Sequence, residues 1–544
     1  MMFSEPAVGE AFFGREEILE LLNKRVTALK DGYRQNVALT GQSLSGKSSI
    51  LYHFLYTLKE QALIPVYVEV VREGFESFAN KFIATLIYNA LTKMGEPVDI
   101  DLEALVKKCE KRLPKTYLAI RQLNSNIDRG QYDEAYASLL GLTSTLKDET
   151  GMSCVVILDE FDNLECLGVK NPFLSFGKVI MVEKDTMYIV SSSRNEAIKK
   201  ILSEKLSLLF GNFEIVKVAG FDLKTAASYI DMKLAGYELD DMMRKFFISF
   251  TDGNAFYMDK LICRARELAA QRMSNHIDRG LVADAMVDLI YNSNGIIHQY
   301  IVNFMLELLE TRHRDSYIAM LLSIANGRRK LSEIARGLKV KASEVSHGLA
   351  HLMELGVVSK CGVFYKIDDI VLAFWLKFVY QRRKDILVDG AFDRRRLFRE
   401  DADSYLADFG REAERDAGSI LAELFNLFSN EMVSIDSKSV RLPHFTRVET
   451  KAFPNAKQFV AASFRGRFWI AADYQDDVGE NDVIDYVKNV KALGLKVASK
   501  IIMPLEGIDE NARLLAKELK ISIWDGLCVN TLLTLYGKKK LIRL

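Results

Sequence analysis

Short continuous apolar runs recur over the first part of the chain: "NVALT" (36–40), "LIPVYVEV" (63–70), "SCVVILD" (153–159), "TMYIVSSS" (186–193) and "FEIVKVAGF" (213–221). Unbroken runs, as opposed to alternating ones, predict strands buried on both faces, as in a parallel sheet. Stretches of helical period lie between them, so the pattern is βαβ repeated, with helices covering both faces. An insert from about 100 to 150, "DLEALVKKCEKRL" and "QYDEAYASLLGLTSTL", predicts amphipathic helices packed beside that sheet. Residues 316–366 read as three helices and a hairpin: "SYIAMLLSIANG", "KLSEIARGLKV", "KASEVSHGLAHLMELGVVSK" and "CGVFYKIDD". The texture changes again near residue 404. A helix, "DSYLADFGREAERDAGSILAELF", precedes strands "RVETKAF", "AKQFVAAS" and "RFWIAADYQ". Helices "DVIDYVKNVKAL" and "DENARLLAKELK" then alternate with strands "KVASKIIMPL" and "ISIWD".

The first run leads into chemistry. Gly41-Gln42-Ser43-Leu44-Ser45-Gly46-Lys47-Ser48 fits G-x-x-x-x-G-K-S/T without a mismatch, after a strand and before a helix that begins at Ser49. Loop N–H groups and a helix N-terminus together make an anion cradle, and Gly41 through Ser49 are expected to line it. Glycine at 41 and 46 permits the tight path. Lys47 is expected to reach the β- and γ-phosphates of ATP, and the Ser48 hydroxyl to ligate Mg²⁺. The third run ends in acid: Asp159 is expected to hold the Mg²⁺ shell, and Glu160 to orient and deprotonate the attacking water.

Composition adds bounds. The 544 residues allow three or four domains, and 49% hydrophobic with 27% charged residues is ordinary for globular protein. Lys plus Arg and Asp plus Glu balance at 73 each, so no global field draws the chain to nucleic acid or membrane. The most apolar stretch, "IVLAFWLKFVY", is too short to span a bilayer and carries a lysine. The start lacks the order of a signal peptide, and six cysteines without C-x-x-C pairing look like reduced residues of a cytoplasmic protein. A local basic patch does exist: Arg328, Arg329, Lys330, Arg336, Lys339 and Lys341 against the single acid Glu333. The helix, turn, helix and hairpin around it match a winged helix, which makes DNA a candidate partner through phosphate contacts. The second helix, however, offers Ser343, Glu344, Ser346, His347 and His351, a poorly basic set that suits a protein-contact arm equally well.

"FFGREEILELL", the P-loop, "VVILDEFD", "YIVSSSR" and "TDGNAFYMDKL" occur in an order that resembles the archaeal-type ATPases of the STAND group, relatives of AAA+ and origin-recognition ATPases. The resemblance covers roughly residues 10 to 380 and implies a P-loop core, a helical lid and a winged helix. It places Phe13, Gly14 and Arg15 near the adenine, and Ser193 and Arg194 at the γ-phosphate. The lid has Gly253-Asn254-Ala255-Phe256 where the family has Gly-Asn-Pro-Phe. "NARLLAKELKISIWDGLCVNTLL" resembles the close of Mrr-type restriction-endonuclease-like domains of the PD-(D/E)xK fold, over roughly 404 to 540. Gln458-Phe459 stand where that fold needs Asp, and Asp473-Tyr474-Gln475 where it needs Glu-x-Lys, with Glu412 and Glu414 on the helix before; the set implies a degenerate nuclease fold.

The expected protein is therefore a multidomain α/β chain. It comprises an ATPase core (1–221), a helical lid (222–305), a winged helix (306–385), a linker (386–403) and the degenerate endonuclease-like domain (404–544). Its expected function is that of a Mg²⁺-dependent ATP-binding and ATP-hydrolysing switch of the STAND type, cycling between ATP and ADP states and forming homo-oligomers on activation. The alternatives are a DNA-binding ATPase of the origin-recognition type and an ATP-gated nuclease.

Overall fold

The computed structural model describes residues 5–98, 100–206, 211–308, 313–385, 391–435, 438–453, 456–463, 466–474 and 476–541. The chain divides into two compact units, one built on Met1–Gly220 and the other on Phe221–Gly253, Tyr257–Met353 and Val357–Leu544.

The first unit holds five parallel strands, β1 (Asn36–Thr40), β2 (Leu63–Glu69), β3 (Ser153–Asp159), β4 (Thr186–Ser192) and β5 (Phe213–Lys217), in the order β2-β3-β4-β1-β5. Every residue of β1, β3 and β4 is buried, which is why their sequences show no alternation. Alternate residues of these strands serve opposite faces. Val156, Leu158 and Val190 meet the helices Phe75–Lys93, Tyr132–Thr150 and Pro172–Val182. Val155, Ile157 and Ile189 meet Glu16–Lys30 and Lys47–Thr57. The helical insert does pack beside the sheet, with Leu105, Cys109, Ile120 and Leu123 in the first of these cores. Because β4 lies between β3 and β1, the loops leaving all three strands meet at one sheet edge, the usual place for a ligand in an open parallel sheet.

In the second unit, helices Leu223–Lys233, Asp241–Thr251, Arg279–Met286 and Ile296–Leu308 precede a three-helix segment, Arg314–Ala325, Leu331–Leu338 and Ala342–Glu354. An antiparallel hairpin, Val358–Cys361 with Phe364–Ile367, completes a winged helix. Two expectations are corrected downstream. Of the expected linker, 386–390 lie outside the described residues and 391–403 belong to a helix, Ala391–Ala413. Phe398, Ala402, Leu406 and Phe409 bury along one side of that helix, and Arg399 donates to Asp284 and, at 3.0 Å, to the Gly280 carbonyl. The single helix expected over 403–425 is two, because Asp416 takes the N-cap position of Ala417–Leu427 and its side chain accepts from Ser419 N at 3.0 Å.

A hairpin not foreseen, Glu431–Ile435 with Lys438–Leu442, follows. Then comes a five-stranded sheet: Phe445–Phe453, Ala456–Ser463 and Phe468–Tyr474 antiparallel, with Val497–Pro504 and Ser522–Ile523 added in parallel. Gln475 lies outside the described residues.

The wing packs into this C-terminal region. Val363 N donates to the Met432 carbonyl at 3.0 Å, and Phe364 joins the core around Phe425 and Phe428, with Tyr536 edge-on at 5.0 Å. At Gly362, φ is +66°, and a Cβ would stand 1.9 Å from the Met432 oxygen, so glycine is required there.

Candidate nucleotide-binding site

The loop between β1 and the helix Lys47–Thr57 is shaped for close backbone approach. A Cβ on Gly41 would lie 2.3 Å from the Val218 carbonyl oxygen, and Gly46 has φ +95° at the N-cap of the helix. Leu44 is also left-handed, at φ +60°. Ser45 is buried, and its hydroxyl has no hydrogen-bond partner among the described residues. Gln42 and Ser43 line the same turn at half-buried positions.

Lys47 is only 4% exposed. Its ammonium donates to the Gln42 carbonyl at 2.9 Å, to the Gly41 carbonyl at 3.0 Å and to Ser193 Oγ at 3.0 Å. Desolvation lowers its pKa, against the opposing pull of Glu160, Asp159 and Asp162. Ser193 in turn donates to Glu160 Oε1 at 2.5 Å. A cation, a hydroxyl and a carboxylate from three separate loops are thus linked in series. Burial raises the Glu160 carboxyl pKa, offset in part by Lys47 and Ser193. Glu160 itself sits at φ +54°, a strained setting for a residue with a side chain, which turns the chain sharply after β3.

Asp159 is 2% exposed and receives three hydroxyls: Ser48 at 2.8 Å and Tyr67 at 2.8 Å on Oδ2, and Ser191 on Oδ1. Ser48 and Asp159 supply hard oxygen donors side by side, the chemistry that suits Mg²⁺ held by one carboxylate, one hydroxyl and substrate phosphates. Among the described residues, no group of three or more His, Cys, Asp or Glu is placed to hold a metal ion.

The flanking candidates fall less simply. Arg194 Nη1 pairs with buried Asp162 at 3.3 Å, and Ser192 Oγ donates to the same carboxylate at 2.7 Å. Ser49 is turned outward: its hydroxyl accepts from Ala7 N at 3.1 Å, so it braces the N-terminal segment and is not directed at the loop. Gly14 and Arg15 have φ +68° and +71°, and Arg15 donates to the carbonyls of Ala219, at 2.5 Å, and Ser45, at 3.5 Å, which fixes the N-terminal box onto the P-loop. Phe13 is half-buried. Its neighbour Phe12 stacks on His53, with centroids 4.0 Å apart and planes within 9°. Sequence reasoning missed Phe12, His53, Tyr67, Ser191 and Asp162. Tyr67 is brought to Asp159 only by the pairing of β2 with β3, which no local motif announces.

The cations read as a DNA-facing patch are partly spoken for. Lys330 Nζ meets Glu431 at 2.8 Å, and Arg329 donates to the Leu535 carbonyl at 3.2 Å. On the second helix of the motif, Ser343, Glu344, Ser346 and His347 are exposed, while His351 is half-buried against the Tyr317 ring at 5.0 Å.

Residues 317–360 match the family model of the bacterial regulatory protein, arsR family, a helix-turn-helix family. No curated protein matches the chain. Among solved structures, a Walker-type ATPase of Pyrococcus abyssi is similar at 16% identity, over 69% of this chain and 99% of that one, with a TM-score of 0.45. The ORC2 protein of Aeropyrum pernix, solved in ADPNP–ADP complexes, is similar at 13% identity over 74% and 98%, TM-score 0.42. The RuvB Holliday junction branch migration motor of Thermotoga maritima follows at 14% identity over 67% and 96%, TM-score 0.35.

Proposed function

We propose that the chain binds ATP with Mg²⁺ at the edge of β1, β3 and β4, hydrolyses it, and uses the cycle to reposition a helix-turn-helix arm. The observation that carries this is the series Lys47–Ser193–Glu160 beside the Ser48–Asp159 pair. Lys47 and the loop amides would hold the β- and γ-phosphates, Ser48 and Asp159 the Mg²⁺, and Glu160 would take the proton of the attacking water. Mg²⁺, when bound, neutralises charge developing on the phosphates. Ser193, already bonded to both Lys47 and Glu160, is the residue that would register whether a γ-phosphate has entered between them.

Of the two switch readings open in the sequence, a DNA-binding ATPase of the origin-recognition type has more support than a STAND-type signalling switch, because the match to a regulatory helix-turn-helix family spans residues 317–360. The poorly basic second helix and the wing buried against the C-terminal region argue for a DNA contact that is weak until that region is released. We read the C-terminal five-stranded sheet, preceded by the helix Ala417–Leu427, as a non-cutting endonuclease-like domain. Fluorescent-ATP titration of the native chain and Lys47→Ala tests the first claim: unchanged affinity would mean that the loop is not the site.

A further inference from the structure

The second unit carries an open groove of its own, with a cavity volume of about 690 Å³, between the helix Ala391–Ala413, the Lys377-Phe378 turn and the tail Gly537-Lys538-Lys539. The acids lining it are all satisfied: Asp401 by Arg382 at 3.0 Å, Asp408 by Arg411, and Glu412 by Arg415 at 3.0 Å. Lys538 is satisfied too, by Glu423 at 2.7 Å. Lys377 and Lys539 have no ion pair among the described residues. Their ammonium groups lie over rings instead, Lys377 over Phe378 at 5.1 Å and Lys539 over Tyr405 at 5.2 Å.

The Nζ of Lys539 is buried and makes no hydrogen bond among the described residues, although an ammonium carries three donors. Desolvation lowers its pKa despite Asp408 and Glu412 nearby. A ring face recovers only part of what a cation loses on leaving water. Lys377 and Phe378 stand in a π-helical stretch, Leu376–Gln381, a geometry frequent at functional sites.

We propose that this groove binds a small organic phosphate, its phosphate group held between Lys539 and Lys377. Two ammonium groups that make no ion pair among the described residues, beside acids already paired with arginines, match the near −2 charge of a phosphate monoester better than a single carboxylate. Lysine serves such groups as a point charge, and the volume is that of a mononucleotide-sized site. The same chemistry could reach the groove as a free nucleotide or as the 5′-phosphate of a nucleic-acid strand.

The test uses the full chain in a Lys47→Ala background, which weakens P-loop binding; Lys377 and Lys539 take no part in that loop, so the effect of changing them is read apart from a failure of the ATPase reading. Calorimetric titrations use dAMP, a single-stranded DNA dodecamer with a 5′-phosphate, and the same dodecamer without it. One site per chain is expected for dAMP or for the 5′-phosphorylated strand, and which of the two binds identifies the source. Lys539→Gln should weaken it at least tenfold. Lys377→Gln, at an exposed position, should do the same and keeps the test decisive if Lys539→Gln does not fold. Arg396→Gln, on the same helix and outside the groove, should change nothing. The proposal is overturned if neither dAMP nor the phosphorylated strand binds at millimolar concentration, if removing the 5′-phosphate leaves strand binding intact while dAMP is ignored, or if binding survives both lysine changes.

Discussion

At the P-loop edge, Lys47, Asp159 and Glu160 are held through hydroxyls from other strands and loops, and the consequences of removing one can be ordered. Lys47→Ala deletes the cation facing the loop; a charge-assisted contact contributes about 1.5–3 kcal/mol, so ATP affinity should fall roughly 10- to 100-fold. Glu160→Gln should leave that affinity near native and lower turnover by about 10²–10⁴-fold, because an amide positions water but accepts no proton. Hydrolysis close to the native rate in this variant would reduce Glu160 to a turn residue. The Glu160 carboxyl pKa is raised, chiefly by desolvation, and a base must be ionised to act. The acid limb of a kcat–pH profile should therefore lie above the ordinary carboxylate range, with activity lost as pH falls through it; a limb at the ordinary value would contradict the role. Lys47, Ser48, Asp159 and Glu160 were legible in the sequence because P-loop and strand-end acid are contiguous motifs with fixed chemistry. Tyr67, Ser191 and Asp162 were not, since each reaches the site through strand pairing or a turn and looks, in sequence, like an ordinary core residue. Ser49 misled for the opposite reason: it continues the motif, but the helix turns its hydroxyl away.

Among the elements, the winged helix and the C-terminal region are joined where sequence reasoning had placed a free basic surface. Charge clustering at 328–341 is visible in one dimension, but the Glu431 carboxylate that captures Lys330 lies a hundred residues on, beyond any local pattern. The presumed linker failed as an expectation for a related reason. The apolar positions that fix it, Phe398, Ala402, Leu406 and Phe409, lie among arginines and acids and continue past the assumed boundary. Phe364 tests the joint. It is 3% exposed inside the core shared with Phe425 and Phe428, so Phe364→Ala should cost about 3–5 kcal/mol of stability there. Gly362→Val places a branched side chain against the Met432 backbone and should separate wing from hairpin without emptying a core. Limited proteolysis should show new cleavage near residues 430–440 in that variant at a temperature where the native chain is uncut. An unchanged digestion pattern would mean that the wing is not held by this contact.

For the whole molecule, the question is whether the C-terminal sheet carries a hydrolytic chemistry of its own. Its five strands and the helices between them were legible along the sequence, yet its polar centre was not. The expected pattern lacked a lysine, whereas Lys457 in fact stands across from Asp473 on the neighbouring strand. Lys457 N donates to Asp473 Oδ1 at 2.9 Å, its ammonium pairs with Asp416, and a cavity of about 460 Å³ is lined by Asp416, Ser419, Ala422, Thr450 and Lys457. That set resembles nuclease machinery in composition more than in arrangement. Asp473 is fully buried with one oxygen committed to the backbone, and Gln458, also buried, supplies an amide where a second carboxylate would be needed. One accessible acid cannot concentrate Mg²⁺ beside a scissile phosphate, and the lysine that would meet developing charge is neutralised by that same acid. Glu412 is taken by Arg415 at 3.0 Å and brings no free ligand. The purified chain should therefore leave plasmid and single-stranded DNA and RNA uncut with Mg²⁺ or Mn²⁺, with and without ATP. Cleavage that persists through purification and disappears in Asp473→Ala and Asp416→Ala would reverse this conclusion, and would make ATP binding the gate of a nuclease.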